Sequence, residues 1–228
     1  MVTTGNISIL LLYYSYMKVD KHIPIRLYTY NSHSMGANTL DMIVENNIDE
    51  DTFIFKICSG GDDQSITTCN GTLHFENFNT ISLKFSITIN SIKVLESASG
   101  SASKGIKIQK AFDFIQDYIV ISVGYDRRLS IWLLKHDDEE IHDCTVSTID
   151  FDSTIFDNSS SIFPDNIDKY SDKLNITWLI GSLVDIGDIG SVDVVTLNDD
   201  IYIAVVGEGL QCFKLSGLSN YLNKDVDE

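Results

Sequence analysis

Two pairs of adjacent carboxylates, Asp62-Asp63 and Asp199-Asp200, are the residues with the clearest capacity for chemistry. Two carboxylates in one cleft can divide the roles of general acid and general base. Both pairs, however, stand among the small and polar residues of predicted turns, where a short aspartate side chain accepts backbone N–H groups. Glu208 lies between two glycines and has the same setting. We therefore predict turn residues here, with no catalytic residue and no enzymatic activity.

The histidines and cysteines give no metal-binding pattern. The chain has five histidines and four cysteines, and none of them have the short spacing of zinc ligands. No glycine-rich loop that could hold a nucleotide follows a predicted strand. The sequence thus predicts neither a metal nor a cofactor. We interpret the cysteines as reduced, buried or half-buried strand residues; they are Cys58, Cys69, Cys144 and Cys212.

Two segments of the chain are similar to each other. CSGGDDQSITTC at 58–69 and ISVGYDRRLSIW at 121–132 each combine a β segment, a small-residue turn, an aspartate and a second β segment. The aspartate, Asp63 or Asp126, stands six residues before the end of its segment, and a serine stands four residues before the aspartate. A spacing that recurs in this way indicates a structural repeat.

The spacing predicts a hydrogen-bonded network in each repeat. We place the aspartate in the turn between the second and third strands, and the serine, Ser59 or Ser122, on the second strand. The indole N–H of Trp132 would face the Ser122 hydroxyl across adjacent strands. This pattern resembles the WD40 repeat, most clearly over VISVGYDRRLSIWLL at 120–134.

The resemblance also implies a histidine at the start of each repeat and an aromatic residue at its end. His33 holds the first position in the first copy, and Ala102 stands there in the second copy. Cys69 replaces the aromatic residue in the first copy. Both repeats are therefore degenerate, and we expect His33 to be a structural residue rather than a base.

Short segments of strand composition recur between turn-forming residues, and no long stretch has a helical period. With the repeats, this predicts an all-β chain forming a WD40-type β-propeller that is incomplete, with about three blades plus part of another. We expect it to be part of a longer protein. The predicted divisions are the end of a preceding blade (1–31), WD blades (32–92 and 93–151), an acidic Ser- and Asn-rich loop (152–175), a terminal degenerate blade (176–217) and a flexible tail (218–228).

The formal net charge of -17 repels polyphosphate, so this chain should not provide the main nucleic-acid-binding surface of a complex. The candidate partner or RNA contacts are Arg127 and Arg128 in a turn, and Lys104 and Lys107 near a strand edge together with Lys110. Equally, the arginines can stabilise their own turn, and edge lysines block unwanted strand pairing.

The apolar run at 7–14 is too short to cross a bilayer, so we expect a cytoplasmic protein without membrane insertion.

The order of several segments resembles the C-terminal end of the WD-repeat protein 6 family. These segments lie between 32 and 215: SHSMGANTLDMI, ICSGGDDQSI, GIKI, the 120–134 segment, and the closing DIGDIGSVDVV…IAVVGEGLQCFKL. The resemblance implies a non-catalytic regulatory subunit of a tRNA 2′-O-methyltransferase. Such a subunit binds a small FtsJ-type catalytic subunit and helps direct it to the wobble nucleotide. The methyl donor and the catalytic residues would belong to the partner, and tRNA would be engaged indirectly.

Three alternatives stay open from the sequence. A generic WD40 interaction scaffold, for example in membrane traffic or ubiquitin ligation, would have the same repeats and the same acidic surface. An enzyme would need a convergent pocket, which the spacing does not indicate. A truncated, non-functional fragment would expose a strand edge and be prone to aggregation.

Overall fold

In a computed structural model of the chain, the structure describes residues 5–12, 24–46, 51–76, 84–112, 115–135, 146–150, 172–173 and 176–218. These ranges contain fifteen β-strands, which confirms the prediction of an all-β chain. None of the described segments forms a helix with the length and apolarity that a membrane crossing requires.

The described strands form four sheets, and every neighbouring pair is antiparallel except one. Sheet I contains β1 (Gly5–Leu12) and β2 (Pro24–His33). Sheet II contains β3 (Ala37–Asn46), β4 (Thr52–Gly61), β5 (Ile66–Glu76) and β6 (Lys84–Leu95), with β10 (Val146–Asp150) antiparallel and β11 (Asp172–Lys173) parallel to β6. Sheet III contains β7 (Ser103–Phe112), β8 (Ile115–Gly124), β9 (Arg128–Leu134) and β12 (Ile176–Leu183). Sheet IV contains β13 (Ser191–Leu197), β14 (Asp200–Val206) and β15 (Leu210–Leu215).

Sheet III lies between sheets II and IV and is covered on both faces. Successive residues of a strand point to opposite faces, so Val120 packs against sheet II while Ile121 packs against sheet IV. Both are completely buried. The sequence of this strand is therefore a continuous apolar run, not an alternation of apolar and polar residues. A third core, around Tyr30 and Phe55, joins sheets I and II. This succession of stacked sheets is consistent with a β-propeller-like fold.

Several tight turns contain residues with a left-handed backbone. Gln64 and Arg127, each directly after a repeat aspartate, have φ values of 63° and 57°. Between β13 and β14, Asn198 and Asp199 have φ values of 51° and 65°, the pair of positive values that a two-residue type I′ hairpin requires. The two repeats thus share the same turn conformation as well as the same aspartate.

The sheets differ from the predicted divisions. Strand β2 continues to His33, beyond the predicted boundary at 31, and β10, within the predicted blade 93–151, pairs with β6 of sheet II. Strand β6 continues to Leu95, beyond the predicted boundary at 92. Strand β12 pairs with β9 and completes sheet III, whereas we predicted 176–217 to be one terminal unit. The long insertion between β9 and β12 hid this pairing, because the partner strand is distant in sequence. Of the predicted loop 152–175 and tail 218–228, only residues 172–173 and 218 are among the described residues.

Candidate functional site

His33, Ser59 and Asp63 come together where sheets I and II meet. His33 is the last residue of β2, Ser59 lies on β4, and Asp63 follows in the turn to β5. The His33 ring contacts Asp63 (Nδ1 to Oδ1, 2.9 Å) and Ser59 (Nε2 to Oγ, 3.0 Å). The Ser65 hydroxyl also lies 2.9 Å from His33 Nδ1. We call these four residues the His33 network.

Asp63 is the acceptor at the centre of this network. Its Oδ2 accepts the backbone N–H of Ser34 (2.8 Å), and its Oδ1 accepts the hydroxyl of Ser65 (2.7 Å) and the Ser65 N–H (3.2 Å). Burial, the largest single influence, raises the pKa of Asp63, but the hydrogen bonds from Ser65 and His33 outweigh it and the pKa is lowered to about 2. The carboxylate therefore stays ionised and acts as a hydrogen-bond acceptor, not as an acid.

The connectivity of Asp63, His33 and Ser59 is that of a catalytic triad, in which an aspartate orients a histidine that activates a serine. Here the nucleophile position is closed. Ser59 is 0% exposed, and the His33 side chain is also 0% exposed. A Cβ on Gly61 would lie 2.5 Å from His33 Nδ1, so backbone fills the space beside the ring. In this arrangement the network joins strands, and the Ser59 hydroxyl is not exposed to a substrate.

The cysteines have two different environments. Burial raises the pKa of Cys69 to about 12 despite a hydrogen bond with Tyr30, and burial also raises the pKa of Cys58. Both thiols are therefore packed as small apolar groups. Cys212 is exposed, contrary to the predicted buried or half-buried position, because it lies on the outer face of sheet IV. Cys144 lies outside the described residues.

The second repeat contains the predicted aromatic contact. Trp132 Nε1 donates to Ser122 Oγ at 3.0 Å, and both residues are buried. Asp126 accepts the backbone N–H groups of Gly100 and Arg128, each at 3.2 Å. The aspartate again connects its own turn to the loop that precedes the first strand of the sheet.

The two repeat aspartates bind equivalent backbone N–H groups, those of Ser34 and Gly100. The residues immediately before these, His33 and Ser99, therefore occupy corresponding positions. We predicted Ala102 at this position in the second copy, and that alignment was wrong by three residues. The loop before β7 has no histidine, so its sequence does not show which residue corresponds to His33.

A polar seam joins β3 and β7 between sheets II and III, and sequence reasoning missed it. Thr39 Oγ1 accepts the N–H of Ile106 at 3.2 Å, and Asp41 Oδ2 accepts the N–H of Ile108 at 3.0 Å. Strand β7 is an edge strand, so these side chains satisfy donors that would otherwise invite another strand. The available signal was weak, because Thr39 and Asp41 alternate along a strand that also contains Asn38, Glu45 and Asn46.

Two of the predicted basic contacts belong to interfaces between sheets. Lys107 Nζ lies 3.4 Å from Asp41 and 3.5 Å from Asp193. Burial lowers the pKa of Lys107, but these two carboxylates outweigh it and the net shift is upward. Lys110 pairs with Glu45 at 3.1 Å. These lysines bridge neighbouring sheets.

The other predicted contacts lie near the second repeat turn. Lys104 Nζ stands 4.1 Å from the centre of the Tyr125 ring, a cation–π distance. Arg127 and Arg128 are exposed. This arginine pair is therefore accessible to a partner, as is the exposed Lys110.

A cavity of about 640 Å³ opens beside the second repeat, and its lining includes Trp132, Trp178, Ser122 and Arg128. Another, of about 420 Å³, adjoins the His33 network. The lining of the first cavity also includes the Asp126 carboxylate, and that of the second includes His33, Asp63 and Glu96. Within the described ranges, no group of three or more His, Cys, Asp or Glu side chains could hold a metal ion.

Comparison with protein-family models and with curated proteins finds no match to the sequence. The arguments about function that follow therefore rest on the residues of this chain and on their geometry.

Proposed function

We propose that the chain is a non-catalytic WD40-type scaffold, with sheets II, III and IV as successive blades and sheet I as part of another. The observation that supports this best is the pair of equivalent turn networks around Asp63 and Asp126. Each aspartate binds the loop before the first strand of its own sheet. The serines of both networks are buried, so the repeated geometry serves architecture and leaves the surface for binding.

More specifically, we propose that this scaffold is a cytoplasmic regulatory subunit that supports 2′-O-methylation of the tRNA wobble nucleotide by an FtsJ-type methyltransferase. Support comes from the segments that resemble the WD-repeat protein 6 family. The segment at 32–43 contributes His33 to its network and continues into β3, and the closing segment at 185–215 contains all of sheet IV. Both segments are thus structural parts of the proposed blades.

Electrostatics support an indirect role with tRNA. A net charge of -17 opposes the approach of a polyanion. We expect the methyltransferase to carry the nucleic-acid surface, and this chain to act by binding the enzyme. Arg127 and Arg128, which are exposed, are the residues proposed for any direct phosphate contact.

Purification of the protein from its own cells, with its bound partners, tests this proposal. We expect the complex to transfer a labelled methyl group to the wobble ribose of tRNA. After the partners are removed in high salt, the chain alone should transfer none. Absence of transfer from the intact complex, or transfer by the isolated chain, would contradict the proposed role.

A generic protein-interaction scaffold is the second candidate, and the outer face of sheet IV favours it. That face carries exposed apolar side chains, which often mark protein-interaction sites. The same purification separates the candidates, because a generic scaffold would retain protein partners but no methyl transfer to tRNA.

A further inference from the structure

The cavity of about 640 Å³ in the second repeat is lined by the counterparts of the residues that surround the His33 ring in the first. The ring contacts Ser59, Asp63 and Ser65, and a Cβ on Gly61 would lie 2.5 Å from its Nδ1. The residues at the same spacing in the second repeat all line the cavity: Ser122, Asp126, Arg128 and Gly124. The cavity thus lies at the place that the His33 ring occupies in the first repeat.

Ser99 is the residue that corresponds to His33, and it also lines the cavity. Its hydroxyl donates to the carbonyl oxygen of Ser101 within the same loop. A serine side chain ends one atom beyond its Cβ, whereas the His33 ring reaches both Ser59 and Asp63. The smaller side chain therefore leaves space at this point of the second repeat.

The hydrogen bonds of His33 show which group fits such a place. Asp63 stays ionised, with its pKa lowered to about 2, so it accepts a proton from Nδ1 of the ring. The other nitrogen, Nε2, then accepts the hydroxyl proton of Ser59. A neutral imidazole, with one N–H and one lone pair, satisfies both residues at once.

The second repeat presents the same two hydrogen-bonding groups. Ser122 Oγ accepts the indole N–H of Trp132 at 3.0 Å, so its hydroxyl proton can point into the cavity. Asp126 accepts the backbone N–H groups of Gly100 and Arg128, each at 3.2 Å. Since a carboxylate has about four acceptor sites, Asp126 can accept a ligand N–H in addition.

An aromatic wall stands beside these groups. Trp178 on β12 pairs with Trp132 on β9, so both indoles lie on the face of sheet III that is directed toward sheet II. Trp178 is 55% exposed and lines the cavity. A Cβ on Gly181 would lie 3.2 Å from Cζ2 of Trp178, so the indole lies close against the Gly181 backbone. A ring positioned in this way favours contact with another flat ring.

We propose that this cavity binds an imidazole group, with one ring nitrogen donating to Asp126 and the other accepting from the hydroxyl of Ser122. A histidine side chain of a partner protein and a free imidazole compound share this chemistry. The site lies beyond the scaffold role proposed above. It does not depend on a methyltransferase, so the outcome of its tests and that of the methyl-transfer experiment are separate.

The first test is heat denaturation of the full chain at pH 8, above the ordinary histidine pKa of about 6.5. We expect about 20 mM imidazole to raise the Tm by about 2 °C. The control compound is 1-methylimidazole, which lacks the donor N–H and should bind about tenfold more weakly in ligand-detected NMR titrations. Absence of imidazole binding, or equal binding of the two compounds, would overturn the proposal.

Ser99→His locates the site. A histidine at this position supplies the ring from the chain itself, so we expect a higher Tm than that of the unaltered protein and a loss of the response to imidazole. Ser191→His makes the same change at an exposed position outside the cavity lining, and this variant should keep the response. The proposed position is wrong if both variants respond to imidazole alike.

His33→Ser makes the reverse change in the first repeat. We expect a lower Tm and a larger rise with imidazole than in the unaltered protein, because the first repeat then also accepts a ring. A folded His33→Ser protein with an unchanged response would contradict the assigned chemistry. If this variant does not fold, the comparison of Ser99→His with Ser191→His decides.

Acetyl-histidine-N-methylamide distinguishes the two sources of the ring. If it binds at least as tightly as imidazole, the ligand is a histidine side chain of a partner protein. If imidazole binds and this compound does not, the backbone of a peptide is excluded and the ligand is a free imidazole compound.

The competing outcome is that the chain supplies the ring itself. His22, His136 and His142 lie outside the described residues. The combined variant His22→Gln, His136→Gln, His142→Gln is therefore measured in the same Tm assay. If imidazole raises the Tm of this variant but not that of the unaltered protein, one of these histidines fills the cavity and the proposal of an external ligand is wrong.

Discussion

At the scale of residues, an aspartate in each repeat turn stabilises two pieces of backbone at once. Asp63 binds Ser34 and Ser65, while Asp126 binds Gly100 and Arg128. Charged acceptors bound to backbone N–H groups are stronger than neutral ones, so each carboxylate fixes both its turn and the adjoining loop.

Asp63→Asn is expected to destabilise the protein. The amide keeps one acceptor oxygen but loses the charge and directs an NH2 group at the donors of Ser34 or Ser65. We expect a loss of about 2 kcal/mol in the free energy of unfolding, measured by urea denaturation. The control is Asp199→Asn, in an exposed turn with φ of 65°, where asparagine tolerates the conformation and the change should stay within about 0.5 kcal/mol. Equal effects would argue against the His33 network.

Asp63 also predicts a pH dependence. Its pKa is about 2 in the folded protein against 3.8 as the ordinary value. A depressed folded pKa contributes stability that is fully present above the unfolded pKa and is lost as pH falls toward the folded pKa. The free energy of unfolding should therefore fall between about pH 4 and pH 2, with a smaller decrease in Asp63→Asn. Identical pH profiles for the two proteins would contradict the assigned role.

At the scale of elements, composition and turn residues predicted the strands well, because β-branched runs between Asp- and Gly-containing turns have few alternative structures. The alignment of the two repeats and the pairing of distant strands were harder to predict. Ser99 replaced Ala102 as the counterpart of His33, and β12 joined sheet III, since neither loop contacts nor distant strand pairing leave a local pattern. The hydrogen bond between Asp41 and Ile108 could not be predicted either, because it forms only when sheets II and III are stacked.

Gly105→Ala tests the packing between sheets III and IV. A Cβ at this position would lie 2.7 Å from the backbone N of Val192, and a backbone neighbour cannot move as cheaply as a side chain. We expect a loss of about 1–3 kcal/mol in the free energy of unfolding. Gly190→Ala is the matched control, since its Cβ would meet Val206 O at an ordinary 3.6 Å. Comparable stability of the two variants would mean that sheets III and IV are not packed as described.

At the scale of the whole molecule, the sequence contains 33 acidic and 16 basic residues. Two of the basic residues, Lys107 and Lys110, form ion pairs between sheets. Composition predicted this repulsive surface directly.

Salt should therefore stabilise the protein. Raising the ionic strength from about 0.05 M to about 0.5 M shortens the Debye length and screens self-repulsion. We expect the free energy of unfolding to increase over this range, measured by urea denaturation at constant pH. A decrease would show that ion pairs such as Lys107 with Asp41 outweigh the net charge.

The proposed role in tRNA methylation is tested most directly by mapping ribose methylation of the wobble nucleotide by mass spectrometry after disruption of the full reading frame. The account predicts that the modification is lost from the affected tRNAs and is restored by the intact gene. Unchanged methylation in the disrupted cells would contradict it and leave the generic scaffold as the better explanation.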